Sequence, residues 1–233
     1  MVGAFLGDVF AKLAAIFRPK PKLRNYEAGN LDVLINNHFS QHSDPNHINR
    51  VGLTLALRLL DKKESLIIET GSSAWGTNSS LLFDAYVREY GGLFITVDIR
   101  EEASQSLLPK LSEKSQSIVS DSVEFLQKLS LPSGFKKVDL VYLDSFDLDV
   151  LNPEPSMQHG LAEFEAVDPV LESGSVVIID DTPIDPCLLG VAAEEYYRDH
   201  GVIPGKGSLI FTSPVFYKYR VLYHHYNLVL EKI

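Results

Sequence analysis

Residues Ser65–Gly76, SLIIETGSSAWG, decide how this chain reads. Leu66, Ile67 and Ile68 make a short apolar run of the kind a strand shows when both of its faces are buried. Glu69 closes the run, and Gly71 and Gly76 then frame a serine-rich loop. In an open parallel sheet, ligands sit beyond the carboxyl ends of the strands, at the point where strand order reverses. Gly71 allows the sharp turn this junction needs, and Gly76 lets a ligand approach the backbone at the next helix start. Thr77, Asn78 and Ser79 add hydroxyl and amide groups there.

Strand and helix signals alternate outward from this junction. NRVGLTLALRLLDK precedes it as an apolar-periodic helix, and TNSSLLFDAYVREYGG follows as a helix stopped by Gly91-Gly92. LFITVD reads as the second strand, and EEASQSLLPKLSEK as a helix interrupted by Pro109. SIVS is a short strand, with Asp121 positioned to cap the helix DSVEFLQKL. VDLVYLD and SVVIID are further strands, separated by the helical stretch PSMQHGLAEFEAVDPVLESG and followed by the helix PCLLGVAAEEYYRDHG. This alternation predicts an α/β fold with a doubly wound, mostly parallel Rossmann-like sheet. The tail YRVLYHHYNLVLEKI breaks the pattern and reads as antiparallel edge strands.

Residues 1–45 read as an N-terminal helical appendage and linker, and residues 46–233 as the main domain. Phe5, Leu6, Val9, Phe10, Leu13, Ile16 and Phe17 form one apolar helical face over residues 3–17, stopped by Pro19 and Pro21. Such a face suits packing on the domain or on a second subunit of a homo-oligomer, with contact to an anionic membrane surface as the alternative. HFSQHSDPNH reads as a polar loop.

Bulk properties narrow the function. The 233 residues are 45% hydrophobic and 22% charged, enough for a substantial core. A net charge of −10 disfavours nucleic acid as a partner. Cys187 is the single cysteine, which excludes an intrachain disulfide and fits a cytoplasmic setting. No apolar run is long enough for a membrane span.

The second strand ends in Asp98, and an acid there can accept hydrogen bonds from both hydroxyls of a ribose. Nicotinamide dinucleotides and S-adenosylmethionine share that need. The loop separates them. It has no G-x-G-x-x-G for a pyrophosphate, and Glu69 would repel one but attract a cationic methionine end. S-adenosylmethionine therefore fits better.

From Glu69 to Asp181 the chain resembles the class I S-adenosylmethionine-dependent methyltransferases: ETGSSAWGTNSS is similar to their first motif, TVDI to their ribose-binding acid and SDSVEFL to their adenine-side segment. The resemblance implies that Glu69, Gly71, Ser73 and Gly76 line the methionine end and that Asp98 holds the ribose. It also implies that Ser120, Asp121 and Ser122 lie near the adenine. The loop departs from the family pattern in having Ser72-Ser73 and Trp75 in place of a G-x-G core.

Two later strands also end in acid, at Asp144 and at Asp180-Asp181, with Asp147 and Asp149 close behind the first. Carboxylates so close repel unless neutralised, and no cation-rich segment lies beside them in the sequence. An all-oxygen set suits a hard divalent cation, Mg²⁺ first. This pattern resembles catechol O-methyltransferase and, more closely, macrocin O-methyltransferase and cephalosporin hydroxylase-type proteins. That resemblance makes Asp144, Asp180 and Asp181 metal ligands, with Asp144 also bordering the cofactor. It implies metal-assisted O-methyl transfer to a small hydroxylated acceptor. The catechol enzymes' lysine position is Asp147 here, so Asp147, Asp149, His159 and Lys206 stand as candidate bases. The alternatives are a metal-independent methyltransferase, a cofactor-binding or assembly module, and a nicotinamide-dependent oxidoreductase.

Overall fold

The computed structural model describes residues 30–61, 63–72 and 76–233. The amphipathic stretch 3–17 and Ser73 lie outside them. The apolar runs do form strands: β1 (Ser65–Thr70), β2 (Gly92–Asp98), β3 (Ser115–Val119), β4 (Leu140–Leu143), β5 (Val176–Ile179), β6 (Tyr219–His224) and β7 (Leu228–Lys232). They make one sheet in the order β3-β2-β1-β4-β5-β7-β6. β1 through β5 pair in parallel, and β7 runs antiparallel to both of its neighbours. The chain winds from β1 to β2 and β3 on one side and to β4 and β5 on the other. The switch point therefore lies between β1 and β4.

Both faces of the sheet are covered, which is why its strands read as continuous apolar runs. One face packs Ile67, Phe94, Tyr142 and Ile178 under α1 (Asn30–Gln41), α2 (Arg50–Leu59) and α3 (Ser79–Tyr90). The other packs Leu66, Ile68, Val141 and Val177 against Leu126 of α5 (Ser122–Lys128) and Phe164 of α6 (Glu154–Val167). The period-2 alternation of a strand sends Ile67 to one layer and its two neighbours to the other. Two more helices, α4 (Glu101–Leu107) and α7 (Val191–His200), complete the set of α-helices among the described residues.

Leu31, Ile35 and Phe39 of α1 are buried in the first core layer. The loop expected from His38 begins later: α1 continues to Gln41, held by Phe39 at full burial. Among the described residues, no helix is long and apolar enough to cross a membrane.

Candidate active site

The carboxyl ends of β1, β2 and β4, with the N-terminus of α5, enclose a cleft of about 360 Å³. It gathers Gly71, Asp98, Asp121, Ser122, Asp144, Asp147 and His159 of the residues singled out from the sequence, and adds Arg100, Ser145 and Phe146. Glu69, Gly76, Ser120, Asp149, Asp180, Asp181 and Lys206 are not on its wall. A larger groove of about 1060 Å³ between α1 and α3, lined by His38, Asp84 and Arg88 among others, holds none of the expected site residues.

Gly71 has φ +81°, and a Cβ there would stand 2.4 Å from the carbonyl oxygen of Asp144. Only glycine lets the β1 loop turn this tightly against the end of β4. Gly76 also has positive φ, but it faces His47.

Asp98 is already engaged. Its Oδ1 accepts from Arg100 Nε at 2.9 Å and from the Arg100 backbone N–H at 2.8 Å; its Oδ2 accepts from Arg100 Nη2 at 2.7 Å and from the Ser72 N–H at 2.9 Å. Burial works against its charge, but these donors prevail and hold its pKa below the ordinary aspartate value. The Arg100 side chain is 61% exposed, so it can swing out and leave the carboxylate to another donor.

Glu69 lies beneath the cleft as a buried hub. Ser79 Oγ, Ser80 Oγ and Thr96 Oγ1 donate to its carboxylate at 2.6, 2.5 and 2.7 Å. Burial pushes its pKa up to about 7, against the pull of the three hydroxyls. Glu69 thus ties the start of α3 to β1 and β2 and offers a ligand no exposed oxygen.

At the other wall, Asp121 caps α5 by accepting from the Glu124 N–H at 2.8 Å. Ser120 donates to the Asp121 carbonyl oxygen at 3.1 Å. His159 Nε2 lies 2.8 Å from Ser145 Oγ and 3.0 Å from Ser122 Oγ, and Ser145 Oγ donates to Glu163 Oε1 at 2.6 Å. Glu163, one helical turn beyond His159 on α6, raises the histidine's pKa. Asp147 is exposed on the cleft wall, whereas the Asp149 side chain accepts from the Leu151 N–H at 2.9 Å in a turn.

The carboxylate cluster does form, and it contains a cation. Lys206 Nζ donates to Asp144 Oδ1 at 2.5 Å and to the Asp144 carbonyl at 3.3 Å, and pairs with Asp181 Oδ2 at 3.1 Å. The expectation that nothing cationic balances these acids is overturned; the balancing charge comes from a loop distant in sequence. Burial opposes the lysine's charge, but Asp144, Asp181 and Asp180 outweigh it and hold its pKa above the ordinary value. That suits a fixed cation and not a proton acceptor. Asp180 Oδ2 accepts from Tyr142 OH at 2.6 Å and from Asn49 Nδ2 at 2.8 Å, while its buried Oδ1 has no hydrogen-bond partner. Burial, then Asp144 and Asp181, push the Asp180 pKa well above the carboxylate range. Tyr226 OH donates to Asp181 Oδ1 at 2.7 Å.

Arg100, Asn49, Tyr142 and Ser145 were not singled out from the sequence. Tyr142 precedes Asp144 by two and so shares its strand face, which is a usable signal. Arg100 follows Asp98 by two. Nothing local marks Asn49.

S-adenosylmethionine fits the cleft's donor set: an acid at the end of β2 for vicinal hydroxyls, and Asp121 and Ser122 at the α5 N-terminus for an exocyclic amine. A divalent ion shared by Asp144, Asp180 and Asp181 does not fit the cluster as arranged. Lys206 fills the space between Asp144 and Asp181, Asp180 is turned to Asn49 and Tyr142, and no group of three metal-ligating side chains converges among the described residues.

No protein-family model matches the chain, and no curated protein matches it by sequence. Solved structures do. The MycE methyltransferase of the mycinamycin biosynthetic pathway, in complex with Mg and SAH, superposes with a TM-score of 0.60 at 16% identity over 88% of this chain. This chain spans 55% of MycE, about half its length. The SAH-bound Podospora anserina methyltransferase PaMTH1 gives 0.55 at 12% identity, covering 97% of this chain and 96% of that one. The O-methyltransferase TomG of Streptomyces achromogenes, involved in tomaymycin synthesis and complexed with SAM, gives 0.50 at 18% identity, covering 91% and 92%. Strand order, the antiparallel β7 and these superpositions agree: the chain has the Rossmann-like fold of the class I S-adenosylmethionine-dependent methyltransferases.

Proposed function

We propose that this protein is an S-adenosylmethionine-dependent methyltransferase acting on a hydroxyl of a small acceptor. One observation carries the reading: a single cleft at the switch point is lined by Asp98, Asp121 and Ser122 together with Asp144 and Asp147. When bound, S-adenosylmethionine supplies an electrophilic methyl group, which ends on the acceptor oxygen as the carbon–sulfur bond breaks. Asp98 would accept from the ribose hydroxyls once Arg100 moves aside. Asp121 and Ser122 would meet the adenine. Asp147, exposed on the cleft wall, would take the hydroxyl proton. The neighbours named above support this: MycE and PaMTH1 hold SAH, and TomG, an O-methyltransferase, holds SAM.

Assistance by a divalent cation, implied by the sequence resemblance and by the Mg in the MycE complexes, would need Lys206 to withdraw from Asp144. Two measurements test the proposal. Calorimetry should show S-adenosylhomocysteine binding, and methyl transfer from labelled donor to a panel of hydroxylated acceptors should be read with and without chelator. Binding of a nicotinamide dinucleotide in place of S-adenosylhomocysteine would overturn the reading.

A further inference from the structure

We propose that Lys206 is the resident cation of the carboxylate site, its ammonium standing where a metal-assisted enzyme would place a divalent ion. The inference deepens the methyl-transfer reading and rests on it for the meaning of the site. The ammonium has three donors, and three oxygens lie within reach: Asp144 Oδ1 at 2.5 Å, Asp181 Oδ2 at 3.1 Å and the Asp144 carbonyl at 3.3 Å. The Lys206 side chain is only 4% exposed, and a buried charge persists only when paired this completely.

The surrounding loop is shaped to deliver it. The Lys206 N–H donates to the Asp181 carbonyl at 2.9 Å, and the Gly207 N–H to Thr182 Oγ1 at 2.9 Å, fastening the loop to the end of β5. A Cβ on Gly205 would lie 2.6 Å from the Asp181 carbonyl oxygen, and one on Gly160 of α6 would lie 2.3 Å from that of Lys206. A side chain at either place would collide with the backbone that carries Asp181 or Lys206.

A divalent ion entering between Asp144 and Asp181 would meet the ammonium at contact distance, where like charges repel strongly. It would also need about six oxygens, of which the lysine already holds the nearest. Asp144 lines the cleft and Lys206 lies behind it, so the ammonium offsets the negative charge of the wall from beneath. Lys206 is thus a positioning and charge-balancing residue in place of a metal.

Manganese titration of the full chain, followed by the electron paramagnetic resonance of free Mn²⁺, tests this. The parent protein should show no site with Kd below about 1 mM, and Lys206→Met should gain one site at least about tenfold tighter. Adding Asp144→Asn to Lys206→Met should remove it, and Lys206→Arg should bind no Mn²⁺. Circular dichroism and S-adenosylhomocysteine titration of the same samples verify folding and separate the two readings. Loss of cofactor binding in the parent would sink the methyltransferase proposal without touching the Mn²⁺ result. Tight Mn²⁺ binding by the parent, weakened by Asp144→Asn, overturns the inference even if Lys206→Met cannot be prepared. Equal Mn²⁺ affinity of parent and Lys206→Met overturns it as well.

Discussion

Arg100 grips Asp98 with both arms of its guanidinium, Nε at 2.9 Å from Oδ1 and Nη2 at 2.7 Å from Oδ2. The carboxylate that would hold a ribose is therefore satisfied before any ligand arrives. A ribose must compete with an arginine that is 61% exposed, and water screens the hold of so exposed a partner. Arg100→Ala should tighten S-adenosylhomocysteine binding by about threefold to tenfold, the scale of one solvent-screened ionic contact. Asp98→Ala should weaken it by about 1.5–3 kcal/mol, the worth of charge-assisted hydrogen bonds. Calorimetry on both variants reads the sign directly; weaker binding by Arg100→Ala would make the arginine a cofactor ligand instead of a competitor.

Glu69 makes the fold sensitive to pH. The folded protein keeps its proton to about pH 7, whereas the ordinary value is 4.5. Between those two values the native state binds more protons than the unfolded chain, so stability falls as pH rises, and the penalty is constant above pH 7. Glu69→Gln cannot ionise and should escape this loss. Urea denaturation at pH 5 and pH 8 should show the variant gaining on the parent as pH rises, by up to about 3 kcal/mol. A difference independent of pH would mean the carboxyl titrates normally.

Gly71→Ala combines a left-handed backbone at φ +81° with a Cβ 2.4 Å from the Asp144 carbonyl oxygen. The conformational cost alone is about 1–2 kcal/mol, and the clash adds to it. Thermal denaturation should report a loss of about 2 kcal/mol or more, with the β1 loop pushed off β4 and cofactor affinity reduced.

Glu163→Gln should lower the His159 pKa toward its ordinary 6.5, because Glu163 is the main cause of the rise. Imidazole proton resonances followed through a pH titration measure this. In the parent, the stability contributed by the charged histidine is complete below about pH 6.5 and disappears as pH climbs through the raised value. The variant should lose that dependence.

Much of this protein was legible locally. The apolar runs at Leu66–Ile68 and Val176–Ile179 announced strands buried on both faces, and Gly91-Gly92 marked the end of α3. The break in alternation after Tyr219 foretold the antiparallel β6 and β7. Such features follow from side-chain period and turn chemistry, which act over a few residues. The strand-end acids Asp98 and Asp144 could likewise be placed at one cleft, because a parallel sheet presents all its carboxyl ends together.

What neutralises those acids depended on the fold. Lys206 lies 62 residues beyond Asp144, and Asn49 lies 131 before Asp180, yet each donates to its partner within 2.8 Å. No period or spacing links such pairs. They meet because α2 covers one sheet face while the Gly205–Gly207 loop folds back over the end of β5. Burial makes an unpaired charge costly, and this loop supplies Asp144 and Asp181 with a cation. The sequence by itself determined a parallel sheet with acids at its mouth; the tertiary structure decided that a lysine, and not an empty space, stands among them.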